Sequence, residues 1–245
     1  MAIDAAAVAA EIESALRVIG TPERAESEKR YLKSDLAFLG TTVWQIRAAV
    51  KEARRGQVLD HDRLVELVTV LWATPVHERR MAAVMLLDVH PKLLNAADLP
   101  LIERLIRESR TWAYVDALAG DVAGGILTAD PSVEATLDRW AADADFWVRR
   151  SSLLAELRPL RAGDDLGPFL RRADAMLDEK EFFIRKAIGW VLREVGKRRP
   201  TDVATWLAPR TNRASGVTMR EAVRYLAPGD AERLMAAYRD HRPAD

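Results

Sequence analysis

FWVRRSSLLAEL, residues 146–157, and FFIRKAIGWVLREV, residues 182–195, decide how this chain folds. Each opens with an aromatic pair, continues with an aliphatic residue and two basic residues, and then runs into an apolar stripe. The second begins 36 residues after the first. Apolar positions spaced in this way mark an amphipathic helix. Recurrence at 36 residues lies within the periods of helical repeat arrays, in which helix pairs stack because no pair buries its apolar face alone.

Outward from that echo, helix signals recur at short intervals and sustained apolar/polar alternation is missing. Thr21 with Pro22, Thr42 with Gln45, Asp60 or Asp62, Asp98, Thr111, Asp130 with Pro131, Asp145 and Asp165 all stand where a helix should start, and Thr218 with Glu221 reads as a second capping box. Pro75, Pro91 and Pro200 separate the pieces. Segments 158–165 and 210–217 read as irregular, and Gly124–Gly125 as a helix irregularity or a tight crossing. Many short helices on short links suit tandem pairs better than a bundle of four long ones. The expected fold is all-α, a HEAT-like helical repeat solenoid over residues 1–245, with a concave binding face.

Composition narrows the function. With 245 residues and 49% hydrophobic content, the chain can bury a core, and with no cysteine it has neither disulfide, thiolate nucleophile nor cysteine-bound zinc. The four histidines, His61, His77, His90 and His241, lack a second ligand at helical spacing, so no metal is expected. A Gly-rich phosphate loop, a nucleophile elbow and a dinucleotide fingerprint are all missing, and no cofactor is expected. Acidic residues interrupt the first stretch, which lacks a basic leader, and no run reaches the roughly 18 apolar residues of a membrane span. The expectation is a cytoplasmic monomer without a membrane partner.

The 37 basic residues balance 37 acidic ones, but unevenly along the chain. Residues 29–55 hold 7 basic and 2 acidic residues, residues 180–224 hold 11 and 4, and residues 56–146 hold 8 and 15. Two basic segments brought to one surface could hold a phosphate backbone despite overall neutrality, although charge runs are commonly only solvated helix faces.

Two groups of residues could carry chemistry. Trp112 and Asp116 are four apart on a helix, so indole and carboxylate project from one face. Trp190 has Lys186 four before it, Arg193 three after and Lys197 seven after, an aromatic among three cations of the kind a phosphate-lined groove needs. The plainer alternative is a Trp190 packed on the next repeat with its cations turned to solvent. Trp44, Trp72, Trp140, Trp147 and Trp206 lie in apolar stripes and read as core.

KEFFIRKAIGWVLREVGKRRP (180–200), with SEKRYLKSDLAFLG, TWAYVDALAG, DFWVRRSSLL and TMREAVRYL in the same order, resembles the AlkD-like DNA glycosylases of alkylation repair over nearly the whole chain. The resemblance implies excision of 3-methyladenine and 7-methylguanine from double-stranded DNA by a monofunctional enzyme. The lesion would be held through backbone and sugar contacts rather than extruded, unlike most glycosylases. It implies Asp116, Trp112 and Trp190 as catalytic, and Tyr31 and Arg150 as DNA-binding. Arg149, Lys186, Arg193 and Lys197 would hold flanking phosphates. Thr111 departs from a tryptophan pair usual in the family, and Tyr114 from a small residue, changes expected to alter the groove. The competing reading is a non-catalytic repeat scaffold that binds DNA structures or a protein partner.

Overall fold

The computed structural model describes residues 4–241. It is all-helical: the described residues hold no strand, only one isolated parallel bridge between Ala37 and Val76. None of its helices is long and apolar enough to cross a membrane. The chain divides into two compact units, Met1–Leu118 and Ala119–Asp245.

The first unit contains α1 (Ala5–Ile19), α2 (Pro22–Leu32), α3 (Val43–Ala53), α4 (His61–Ala73), α5 (His77–Val89), α6 (Leu99–Ser109) and α7 (Trp112–Ala117). Its starts follow the sequence signals. Thr21 caps α2 with Pro22 in the first turn, Asp60 caps α4, Thr111 caps α7, and Thr42 and Gln45 form the complete capping box of α3. Gly20 and Gly40 allow the α1–α2 corner to meet the segment before α3. A Cβ on Gly20 would come 2.0 Å from the Leu39 carbonyl oxygen, and one on Gly40 (φ +80°) 2.0 Å from that of Thr21.

The second unit contains α8 (Gly124–Ala129), α9 (Glu134–Ala141), α10 (Phe146–Leu154), α11 (Leu157–Ala162), α12 (Gly167–Ala175), α13 (Phe182–Gly196), α14 (Pro200–Leu207), α15 (Gly216–Ala222) and α16 (Pro228–Asp240). The two segments that betrayed the repeat are α10 and α13, and their aromatic pairs meet. Phe183 stacks on Phe146 at 6.2 Å and lies 4.7 Å from Trp147. Asp145 and Glu181, also 36 apart, cap the two helices through the Trp147 and Phe183 amides. Gly124 follows a π-helical turn, Leu118–Ala123, and a Cβ there would come 2.7 Å from the Ala155 carbonyl oxygen. It is both an irregularity and a close crossing.

The repeat is also written in polar contacts. His61–Asp98, Trp72–Glu108 and His77–Tyr114 in the first unit join residues 37, 36 and 37 apart. Arg171–Asp138, Arg210–Asp174 and Arg213–Asp178 in the second join residues 33, 36 and 35 apart. Each rung ties one repeat to the next.

Three local expectations are corrected. Thr218 does not cap a helix: Ser215 accepts the Thr218 amide at 3.1 Å, α15 starts at Gly216, and Thr218 is buried inside it. The supposedly irregular stretch 158–165 is helical as far as Ala162 and turns at Gly163 (φ +105°). Of the five tryptophans assigned to the core, Trp72, Trp140, Trp147 and Trp206 are buried, but Trp44 is 79% exposed.

Candidate functional site

On α7 the buried stripe is Tyr114, Val115 and, just beyond, Leu118, whereas Trp112 and Asp116 are half-exposed, one turn apart on the other side. The structure therefore puts indole and carboxylate on one accessible face. Tyr31, 72% exposed near the end of α2, makes a T-shaped contact with Trp112, ring centroids 5.9 Å apart and planes at 87°. Three of the residues singled out in the sequence, Tyr31, Trp112 and Asp116, thus share one surface of the first unit.

The buried side of α7 holds that face in place. The Tyr114 hydroxyl lies 2.5 Å from His77 Nδ1, and its ring packs edge-on to Trp72. Burial keeps the His77 imidazole neutral, lowering its pKa to about 4, and pushes the Tyr114 phenol upward. Next to His77, the fully buried Glu78 carboxylate accepts the amides of Leu39, Gly40 and Thr41 at 2.9, 2.8 and 3.3 Å. Phe38 stacks on the His77 ring at 4.6 Å. One buried corner at the start of α5 thereby fixes both the chain leading from Tyr31 to α3 and the helix bearing Trp112 and Asp116. Tyr114 is a core residue and does not project toward a ligand.

In the second unit Trp190 is half-buried against the apolar core, with the Arg150 guanidinium 6.0 Å from its ring. Arg150 is itself buried: its Nη1 donates to the Phe183 carbonyl at 2.5 Å, and its guanidinium lies 5.7 Å from the Phe183 ring. It supports the Trp190 face from beneath. Gly189, beside that tryptophan, lets α13 cross α15, since a Cβ would come 2.8 Å from Glu221 Cβ and 2.9 Å from the Thr218 carbonyl oxygen.

The cations expected around Trp190 divide. Lys186 is exposed, 5.9 Å from the Phe182 ring, and joins no ion pair among the described residues. Arg193 is paired with Glu221, and Lys197 with Glu194 at 2.8 Å. Arg149 grips Glu179 through two bonds of 2.9 Å, and its Nη1 donates to the carbonyls of Asp143 and Ala144. Among the described residues, only Lys186 of these four stands without a carboxylate.

Sequence reasoning missed the Glu78–His77–Tyr114 corner and Phe183. The first had a readable sign, because Tyr114, Val115 and Leu118 form an i, i+1, i+4 apolar stripe opposite Asp116. Among the described residues no group of three His, Asp or Glu is placed to hold a metal ion.

Comparison with known proteins bears on the family and the fold. No curated protein matches the chain. A solved structure described as a predicted DNA alkylation repair enzyme from Enterococcus faecalis is similar in fold, with a TM-score of 0.76 and 22% identity, over 85% of this chain and 97% of that one. The model of the DNA alkylation repair enzyme family matches residues 12–226, a span that runs from within α1 to just before α16 and includes every side chain described above; the chain belongs to that family.

Proposed function

We propose that this protein hydrolyses the N-glycosidic bond of positively charged N3- or N7-alkylated purines in duplex DNA, with Asp116 as its catalytic carboxylate. Family membership supplies the coarser part, a role in the repair of alkylated DNA. The observation that carries the finer part is the pairing of Asp116 with Trp112 on the accessible face of a helix anchored from behind by Tyr114.

Alkylation at N3 or N7 leaves the base cationic and therefore a good leaving group, so little acid catalysis is required. As the C1′–N bond lengthens, the base takes the bonding electrons and positive charge develops on the sugar. A fixed carboxylate beside that sugar is worth more in the transition state than in the ground state. Asp116 also suits the orientation or deprotonation of the water that attacks C1′. The Trp112 ring, in T-shaped contact with Tyr31, offers its π face to the electron-poor sugar and keeps water from the rest of it. Trp190 over Arg150 gives the second unit a rigid aromatic surface for the sugar-phosphate backbone, and Lys186 an unpaired charge for a flanking phosphate.

The test is incubation with methylated duplex DNA followed by alkali, which breaks strands at abasic sites, together with quantitation of released 7-methylguanine and 3-methyladenine. Wild type should release both, and Asp116→Asn should bind the duplex with near-native affinity but release neither. Release by Asp116→Asn at the wild-type rate would remove the assigned role. Intact strands after wild-type treatment would favour a scaffold that binds without cutting.

A further inference from the structure

Among the described residues only two non-glycine residues have positive φ, Lys33 (φ 49°, ψ 45°) and Arg110 (φ 49°, ψ 17°). Both line the same cleft of the first unit, about 370 Å³, with Ser34 and Arg80. A left-handed conformation strains any residue with a Cβ, and glycine or asparagine ordinarily fills that place at a helix end. A long cation at both positions suits the backbone poorly, which points to a use for the side chains. Neither side chain makes an ion pair or hydrogen bond among the described residues.

The rest of the lining is consistent with an anion. Arg80 lies over Trp72 at 4.9 Å, donates from Nη1 to the Glu108 carbonyl, and keeps a buried Nε without an acceptor among the described residues. Two carboxylates also line the cleft: Glu108 already takes the Trp72 indole N–H at 2.7 Å and lies 3.8 Å from Arg104, while Asp35 is exposed and joins no ion pair among the described residues. The three cations Lys33, Arg80 and Arg110 therefore outnumber the carboxylates by one. Lys33 stands two residues after Tyr31 and Arg110 two before Trp112. Two residues span at most about 7 Å, so both cations flank the Tyr31–Trp112 ring pair at a distance of one or two nucleotide steps.

We infer that this cleft is a phosphate site: it holds one backbone phosphodiester of duplex DNA beside the nucleotide that Tyr31 and Trp112 contact, with Lys33 and Arg110 as its donors. The inference rests on the duplex-DNA reading above and names where the backbone is gripped.

Glycine is the informative replacement, since it accepts positive φ and removes only the side chain. The double variant Lys33→Gly/Arg110→Gly should melt at or above the wild-type temperature while binding alkylated duplex roughly tenfold more weakly, with a salt slope shallower by about one. A duplex series with single methylphosphonates in place of successive phosphates locates the contact. Wild type should lose affinity at one position where the double variant loses no more, and both should lose equally elsewhere. Wild-type affinity and salt slope in the double variant, or an unchanged methylphosphonate profile, would overturn the site. A wild type that binds alkylated duplex but releases no base would defeat excision and leave this site standing, whereas one that binds no duplex would defeat both.

Discussion

His77 and Tyr114 face each other in a buried pocket where neither is favoured in its charged form. An unfolded histidine titrates near 6.5, whereas burial lowers His77 to about 4, so between those values the unfolded chain binds the extra proton. The stability this residue confers is complete above pH 6.5 and is lost as pH falls toward 4. The difference corresponds to about 2 kcal/mol between pH 7 and pH 5. His61 acts in the opposite sense, because hydrogen bonds to Asp62 and Asp98 raise its pKa and its stabilisation disappears as pH rises. Denaturant unfolding at the two pH values should therefore show His77→Gln losing less stability on acidification than wild type by about that amount. Equal losses would mean that His77 is protonated in the folded state. The sequence showed Trp112 and Asp116 by spacing alone, but it gave no warning of Lys33 and Arg110, whose helix ends lack the glycine that ordinarily announces a left-handed residue. Trp44 was misjudged for a simpler reason. The buried stripe of α3 is Ile46, Ala49, Val50 and Ala53, and a residue two positions before Ile46 points the other way.

Helices, by contrast, were well announced. Side-chain caps at Thr21, Thr42, Asp60, Thr111 and Asp145 appear where the sequence put them, because a cap needs only a short polar side chain beside an apolar stripe. The start of α15 was misread because Ser215 and Thr218 are both competent caps, and burial, which no local pattern reveals, decided for Ser215. Crossings between helices were the least legible. Gly189 looks like any helical glycine until α15 is seen 2.8 Å from the place of its missing Cβ. Gly189→Ala should therefore destabilise by about 1–3 kcal/mol, although alanine favours helix, and a thermal midpoint unchanged or raised would contradict the crossing. Arg172 on α12 ties α9 to the turn between α10 and α11: its side chain is buried and binds the buried Glu156 in that turn as well as Glu134 and Asp138 on α9. Arg172→Ala leaves Glu156 buried and unpaired and should cost about 3–5 kcal/mol, while the paired change Arg172→Met/Glu156→Leu should recover most of it, both read by denaturant titration.

For the molecule as a whole, equal numbers of basic and acidic residues hide a division of labour. Arginines such as Arg149, Arg171, Arg172, Arg193, Arg210 and Arg213 are joined to carboxylates, whereas Lys33, Arg110 and Lys186 pair with none among the described residues. Local charge counts showed the basic segments but not which cations were already taken, since partners 28 or more residues away are invisible to them. Exposed pairs contribute little to stability and the core is apolar, so raising salt from about 50 to about 200 mM should leave the melting temperature nearly unchanged. Duplex affinity should fall steeply over the same range. Calorimetry beside fluorescence anisotropy checks the contrast, and parallel declines would assign the unpaired cations to folding instead.

The rungs that join residues about one repeat apart carry one more implication, for how such a chain can change its length. Copying a block of 36 residues inside the second unit would hand each displaced arginine a fresh aspartate at the customary offset, so growth by whole modules keeps the ladder closed. An insertion of any other size within a helix would strand those partners out of step, which confines tolerated extra length to the turns between modules.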